Sequence, residues 1–340
     1  MRYLKKLLFF AFVAMSPTLS TDESTANQVS FDSPLLVIEA KVGTQPGQFG
    51  ISFAPEGGGW HYPTDFTIDT SGSIWVLDTR NDRVQKFDQN GQFKFAVTLP
   101  QHYKSIKTHP SGNVIVGYPS SNNPTLLFLN SKGEEIKKIS LPGIGGSGDF
   151  GVDKSGQILY SDAGNLLILN ESGETIRVIP NASRLLKNAN FYASYLITGS
   201  SRNATGTFQK FDDTRSQMDD WIAFTPEKPS SLSFQAKAIA VLPFGKNEVF
   251  VQWLVNRNPR EEFITLHNLQ GSVLSTPPNC PINSFPDKPY GSFLFRVDKD
   301  GNFYQMEIVL PGHRYEHLSW HYPPSSSVTF LRIWKWNRTK

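Results

Sequence analysis

Turns that end in glycine recur along this chain at a nearly constant spacing, and that rhythm limits what it can fold into. One family of turns is Asp69-Thr-Ser-Gly72, His109-Pro-Ser-Gly112, Asp153-Lys-Ser-Gly156 and Asp298-Lys-Asp-Gly301, with Gly245-Lys246-Asn247 as a weaker member. A second is Asp88-Gln-Asn-Gly91, Asn130-Ser-Lys-Gly133, Asn170-Glu-Ser-Gly173 and Asn268-Leu-Gln-Gly271. Spacings in the first family are 40, 44, 89 and 56 residues, and in the second 42, 40 and 98. The values of 89 and 98 are double periods, so one unit has lost its glycines. Between the turns lie short runs of β-branched and aromatic residues, the composition of half-buried strands. The stretch Pro63 to Phe93 shows the pattern best, with Thr67, Ile68, Ile74, Val76, Val84 and Phe87 in three strands around Ser71-Gly72 and Asn90-Gly91.

A repeat of 40 to 50 residues made of strands and tight turns points to an all-β propeller. Six units of four antiparallel strands fit the chain, at 63–99, 103–142, 147–180, 182–226, 234–276 and 292–336. The last has three strands of its own, Phe293–Val297, Asn302–Ile308 and Val328–Trp336. The orphan run Leu35–Val42 is expected to supply its fourth strand and close the ring, which removes an exposed edge. In the unit at 182–226, Phe208-Gln-Lys-Phe-Asp212 echoes Val84-Gln-Lys-Phe-Asp88.

The first 20 residues have the pattern of an export signal: Arg2, Lys5 and Lys6, then an apolar run from Leu7 to Met15, with cleavage expected after Ser20 or Ala26. That run is too short to span a bilayer, which takes about 20 residues. Residues 21–33 are polar and read as a disordered leader, and 34–340 as one propeller domain. A periplasmic or extracellular, monomeric protein is expected. A net charge of +3, with no basic helix, does not suit nucleic acid. Cys280 is the single cysteine, so the chain forms no internal disulfide.

Asp78-Thr-Arg-Asn81-Asp-Arg83-Val84, following Gly72-x-Ile74-x-Val76, resembles the signature of NHL-repeat propellers, and Asp162-Ala-Gly-Asn165 keeps part of it. Read physically, the signature is structural: Asp78 and Arg83 flank a turn and can pair across it, with Asn81 inside. The resemblance implies a six-bladed ring. Two enzyme families share that architecture, and the sequence departs from both. Gluconolactonase-like propellers place a metal-ligating Asn before an Asp at the start of an inner strand, where this chain has Thr64-Asp65 and Gly148-Asp149. Peptide-amidating lyases place a zinc-binding His at that offset, where this chain has Thr64, Lys104, Gly148, Lys237 and Phe293.

In a four-stranded meander the first and third turns share one face, and the second turn and the links between units share the other. Here the first set is tight and the second long, and long loops on a rigid scaffold carry binding residues. Trp60 and His61 lead into the first strand, and Asp65 and Asp149 hold equivalent positions where inner strands begin, beside Lys104. Arg257 and Arg260 sit in a second-turn loop, which reads either as a solvated loop or as a candidate anion contact. The segment Val309 to Ser327 spaces His313, His317 and His321 four apart, so a helical turn there would put all three on one face, where neutral imidazoles can hold zinc. A separate candidate set for one divalent ion, calcium or zinc, is Asp65 and Asp149 with the loop residue His317. No nucleophile elbow or Cys–His pair appears, and Gly143 to Gly148 precedes a strand, which rules out a dinucleotide loop. The expected function is a module that binds a protein, peptide or small ligand on the long-loop face. The alternative is a metal-dependent hydrolase or lyase at the channel mouth.

Overall fold

A computed structural model describes residues 29–54, 59–118, 124–141, 150–153, 155–162, 165–179, 195–198, 206–211, 217–224, 236–244, 248–255, 261–268, 272–277, 295–309 and 330–339. In the strands between 195 and 244, and at 52–54 and 59–61, only the backbone is described.

In chain order the strands are β1 (Ser30–Phe31), β2 (Leu35–Lys41), and the hairpin β3 (Ser52–Ala54) and β4 (Gly59–His61). The first blade is β5 (Asp65–Ile68), β6 (Ile74–Asp78), β7 (Arg83–Phe87) and β8 (Phe93–Thr98). The second is β9 (Ser105–Thr108), β10 (Val114–Tyr118), β11 (Thr125–Leu129) and β12 (Glu135–Ser140). The third is β13 (Phe150–Val152), β14 (Ile158–Asp162), β15 (Asn165–Leu169) and β16 (Thr175–Ile179). A three-stranded sheet follows, β17 (Tyr195–Thr198), β18 (Gly206–Phe211) and β19 (Gln217–Phe224). Then comes a blade of β20 (Ala236–Phe244), β21 (Glu248–Val255), β22 (Glu261–Asn268) and β23 (Val273–Ser275). The last blade is β24 (Phe295–Val297), β25 (Phe303–Val309) and β26 (Phe330–Trp336), with β2 as its outer strand, and β27 (Arg338–Thr339) pairs with β1.

The protein is therefore an all-β propeller of four-stranded antiparallel blades. Among the described residues five sheets have four strands, where six were expected. The unit at 182–226 gives three, and its sequence lacks the glycine turns that reverse the chain elsewhere. Strands β20, β24, β5, β9 and β13 lie side by side in that order as the inner strands.

Three strands of a typical blade are buried on both faces, because a neighbouring blade covers each face. Ile74–Asp78 and Thr125–Leu129 are buried throughout, whereas the outer strand Phe93–Thr98 alternates. The core accordingly lies between sheets. Phe66, Val76 and Phe87 pack with Ile38, Met306 and Leu331 of the last blade. Trp75, Leu77 and Val84 pack with Ile106, Val116 and Leu127, and Ile115 and Phe128 with Phe150, Ile158 and Leu169. Val29 and Phe31 reach into a fourth cluster with Phe250, Phe295, Phe303 and Trp336.

Two seam contacts repeat from blade to blade. Lys86 lies over the Trp75 ring, 4.7 Å from its centre, and donates to the Ser131 carbonyl of the second blade at 3.0 Å. Lys137 likewise lies over Phe128 and donates to the Glu171 carbonyl of the third. The second-family glycines pack over the outer strand of the preceding blade. A Cβ on Gly133 would stand 2.5 Å from the Val97 side chain, and one on Gly91 would stand 1.8 Å from the Val37 carbonyl oxygen of β2.

Candidate functional site

The tight-turn end is chemically closed by its own turns. Asp69 Oδ1 accepts from the Ser71 and Ser73 backbone N–H groups, each at 2.9 Å. Asp153 and Asp298 repeat this with Ser155 and Gln157, and with Asp300 and Asn302. Burial alone would raise the Asp69 pKa, but bonds from Ser71, Trp75 and Ser73, together with the Lys86 charge, take it below the ordinary carboxylate value. In the second blade His109 replaces the aspartate. Its Nδ1 accepts from the Ser111 N–H at 3.2 Å, and its Nε2 faces the Gly156 carbonyl of the third blade at 3.2 Å.

At the other end the inner strands carry a buried ionic chain. Asp65, at the start of β5, is 5% exposed. Its Oδ1 accepts from the Phe66 N–H at 2.8 Å and from Arg296 Nη2 on β24. Its Oδ2 accepts from the Ile106 N–H at 3.0 Å and from Lys107 Nζ on β9 at 2.8 Å. Four donors occupy the roughly four lone-pair positions of a carboxylate. Arg296 also donates to the Phe66 carbonyl at 2.8 Å and to its neighbour Phe295 at 2.7 Å. Asp65 thus ties three inner strands together. A divalent ion would have to displace an ammonium or a guanidinium to reach it.

Beside it Thr64 Oγ1 lies 2.7 Å from Thr79 Oγ1 and donates to the Lys104 carbonyl at 3.1 Å. The Lys104 N–H donates to the Gly117 carbonyl at 2.9 Å, and its side chain is exposed. The link that carries Lys104 also carries His102, whose Nδ1 is bonded to the Asp82 carboxylate. Asp82 is the one non-glycine residue with positive φ among those described, and its carbonyl accepts from the Leu99 N–H at 2.7 Å.

The first-blade signature is a fastener. Arg83 Nε pairs with Asp78 Oδ2 at 2.8 Å, as the sequence led us to expect. Asn81 and Gln85 donate to the same oxygen, and Asp78 Oδ1 accepts from the Gly50 N–H at 2.9 Å. Arg83, Asn81 and Gln85 also reach the carbonyls of Gly43, Thr44, Gln45 and Gln48. The cluster therefore clamps the segment that leads from β2 into the first blade. Asp78 is buried enough for desolvation to raise its pKa despite these donors.

Of the sequence-derived candidates, Asp65 and Lys104 come together where the first and second blades meet. Trp60 and His61 lie in the β3–β4 hairpin, paired with Phe53 and Ser52, and their side chains are outside the described residues. Asp149, Arg257, Arg260 and His317 also lie outside them. No group of three or more His, Cys, Asp or Glu is placed to hold a metal among the described residues. The sequence reading missed Lys107 and Arg296. Each stands two residues before a first-family turn residue, the position of Thr67, and that register was the available signal.

Residues 61–87 match the NHL repeat family. No curated protein matches the sequence. Among solved structures, the chain is similar to the hydrazine synthase of Kuenenia stuttgartiensis at 14% identity, over 71% of this chain and 72% of that one, with a TM-score of 0.45. It is similar to virginiamycin B lyase from Staphylococcus aureus at 12% identity, over 72% and 76%, with a TM-score of 0.39. For a luciferin-regenerating enzyme the figures are 11%, 80% and 90%, with a TM-score of 0.44. Likeness at these levels transfers no activity to this chain. The chain is an all-β propeller whose first blade carries an NHL repeat.

Proposed function

We propose that this protein is an exported, monomeric, six-bladed propeller that acts as a binding module for a protein, peptide or small ligand on its long-loop face. In this reading the three-stranded sheet is the sixth blade and β2 closes the ring. The order of the inner strands and the seat of Gly91 on Val37 support that arrangement.

The observation that carries the reading is the contrast between the two ends. At the tight-turn end the aspartates are engaged by their own turns. At the opposite end His102 is exposed with its Nδ1 bonded to Asp82, Lys104 is exposed, and Asp65 is already filled by protein donors. That last point favours binding over metal-dependent hydrolysis or lysis centred on Asp65.

The test is a screen of peptide and glycan arrays with the mature protein, repeated with Lys104→Glu and with Lys132→Glu on the tight-turn end. Array ligands lost by Lys104→Glu and kept by Lys132→Glu are the expected result. Equal loss in both variants, or one tightly held divalent ion per chain whose removal abolishes a lyase or hydrolase activity, would overturn the reading.

A further inference from the structure

Three blades place an acid at the long-loop end of their second strand, six residues after the turn glycine: Asp78 after Gly72, Asp162 after Gly156 and Glu307 after Gly301. The repeat supplies each with a different environment. Asp78 receives Arg83, Asn81, Gln85 and the Gly50 N–H. Glu307 accepts from Trp334 Nε1 at 2.9 Å and stands across the ladder from Arg332. Asp162 keeps the position, and among the described residues it has none of these partners: its Oδ1 is buried and accepts no hydrogen bond.

The cause is visible in the hairpin. Asp78 faces Arg83 across four intervening residues, which include Asn81. Asp162 faces Asn165 across only two, Ala163 and Gly164. The shorter hairpin removes the equivalent of Asn81 and puts an amide where the guanidinium stands. A buried carboxylate oxygen without a donor is costly, and such an exception calls for an explanation. Below it the Tyr160 phenol is pushed up to about 12, first by burial and then by the Asp162 charge, so it does not help to neutralise the site.

We infer that Asp162 is a receptor carboxylate for a cationic side chain, a guanidinium or a primary ammonium, carried by the ligand of the long-loop face. The first blade shows the same position in the same fold already holding a guanidinium from its own chain. Calcium suits it poorly, since that ion takes six to eight oxygens, and no group of three or more potential ligands lies together among the described residues. The inference rests on the binding-module reading and names the ligand class for part of its face.

The probe is Nα-acetyl-arginine amide, with the neutral isostere Nα-acetyl-citrulline amide as control, titrated into the full mature chain and followed by backbone amide shifts at Tyr160 and Asn165. The arginine probe should give saturable shifts in the millimolar range. The citrulline probe should give none. Asp162→Asn should weaken the arginine response by at least about tenfold, while Asp88→Asn, at an exposed turn, leaves it intact. Unchanged melting of Asp162→Asn shows that the variant is folded. Absence of saturable shifts in the parent protein, or equal shifts in Asp162→Asn, overturns the inference and leaves water as the occupant. An array ligand lost with Lys104→Glu would survive that failure, so the two readings fail separately.

Discussion

Gly91 tests whether the N-terminal strand is seated against the first blade. Its φ is +79°, and an added Cβ would fall 1.8 Å from the Val37 carbonyl oxygen and 2.7 Å from the Val37 carbonyl carbon. Real contacts of a Cβ are essentially never under 3.0 Å, so β2 must retreat by at least 1.2 Å, the difference between 3.0 and 1.8. Gly72 is the control. It has φ +82° but meets nothing nearer than 3.7 Å. Gly72→Ala therefore measures the left-handed backbone penalty alone, about 1 kcal/mol. Gly91→Ala carries the same penalty plus the displacement of a strand, which overpacking data put at about 1–3 kcal/mol more.

Gly133→Ala should fall between them, because a Cβ there meets the Val97 methyl and the Phe95 ring, which yield more easily than backbone. The assay is urea unfolding followed by tryptophan fluorescence, with the midpoints compared at unchanged slope. The expected order of destabilisation is Gly72→Ala, Gly133→Ala, Gly91→Ala. If Gly91→Ala costs no more than Gly72→Ala, β2 does not rest on the first blade and the ring closes in another way.

Two further outcomes follow from the ionisable groups. Asp65→Asn should destabilise the protein by about 3 kcal/mol, because it weakens a buried carboxylate that holds Lys107 and Arg296; chelator should change the melting of neither parent nor variant if Asp65 is a strand tie, and a chelator effect confined to the parent would make it a metal ligand. Tyr160 has its pKa raised from 10.0 to about 12, so its contribution is whole below pH 10 and is lost as pH rises toward 12. Tyr160→Phe should flatten the fall of urea stability over that window, by up to about 1.4 kcal/mol per pH unit, and an unchanged slope would show that the phenol titrates normally.

The turn-and-strand rhythm was legible because it rests on local rules. A glycine with positive φ after Asp-x-x or Asn-x-x closes the same turn at Gly72, Gly91, Gly133, Gly156, Gly173 and Gly301, and Gly112 closes it after His109-Pro-Ser. The unit at 182–226 was harder to read for the same reason, since without turn glycines nothing fixes where its strands reverse. The pairing of Leu35–Lys41 with Phe330–Trp336 was legible as an orphan strand matched to a blade that lacked one. The state of Asp65 was not. Its position at the head of an inner strand could be read from the repeat, but its partners come from β9 and β24, 41 to 231 residues away. Only the curvature of neighbouring blades brings Lys107 and Arg296 onto one carboxylate.

These cases point to where function lies in a repeat fold. Positions that obey the repeat, such as Asp69, Asp153 and Asp298, meet the same backbone donors in each of their three blades, and geometry accounts for them fully. Departures carry the information that geometry does not explain. Lys107 and Arg296 stand where the first blade has Thr67, and together they use up the Asp65 carboxylate. Asn165 stands where that blade has Arg83, and among the described residues it leaves the Asp162 Oδ1 without a donor. The first departure fills a site and the second empties one. A ligand that competes with Lys107 and Arg296 must break a three-strand tie, whereas one that brings its own cation to Asp162 relieves a buried, donorless oxygen. On the proposed reading, recognition therefore falls beside Asp162 of the third blade rather than on Asp65.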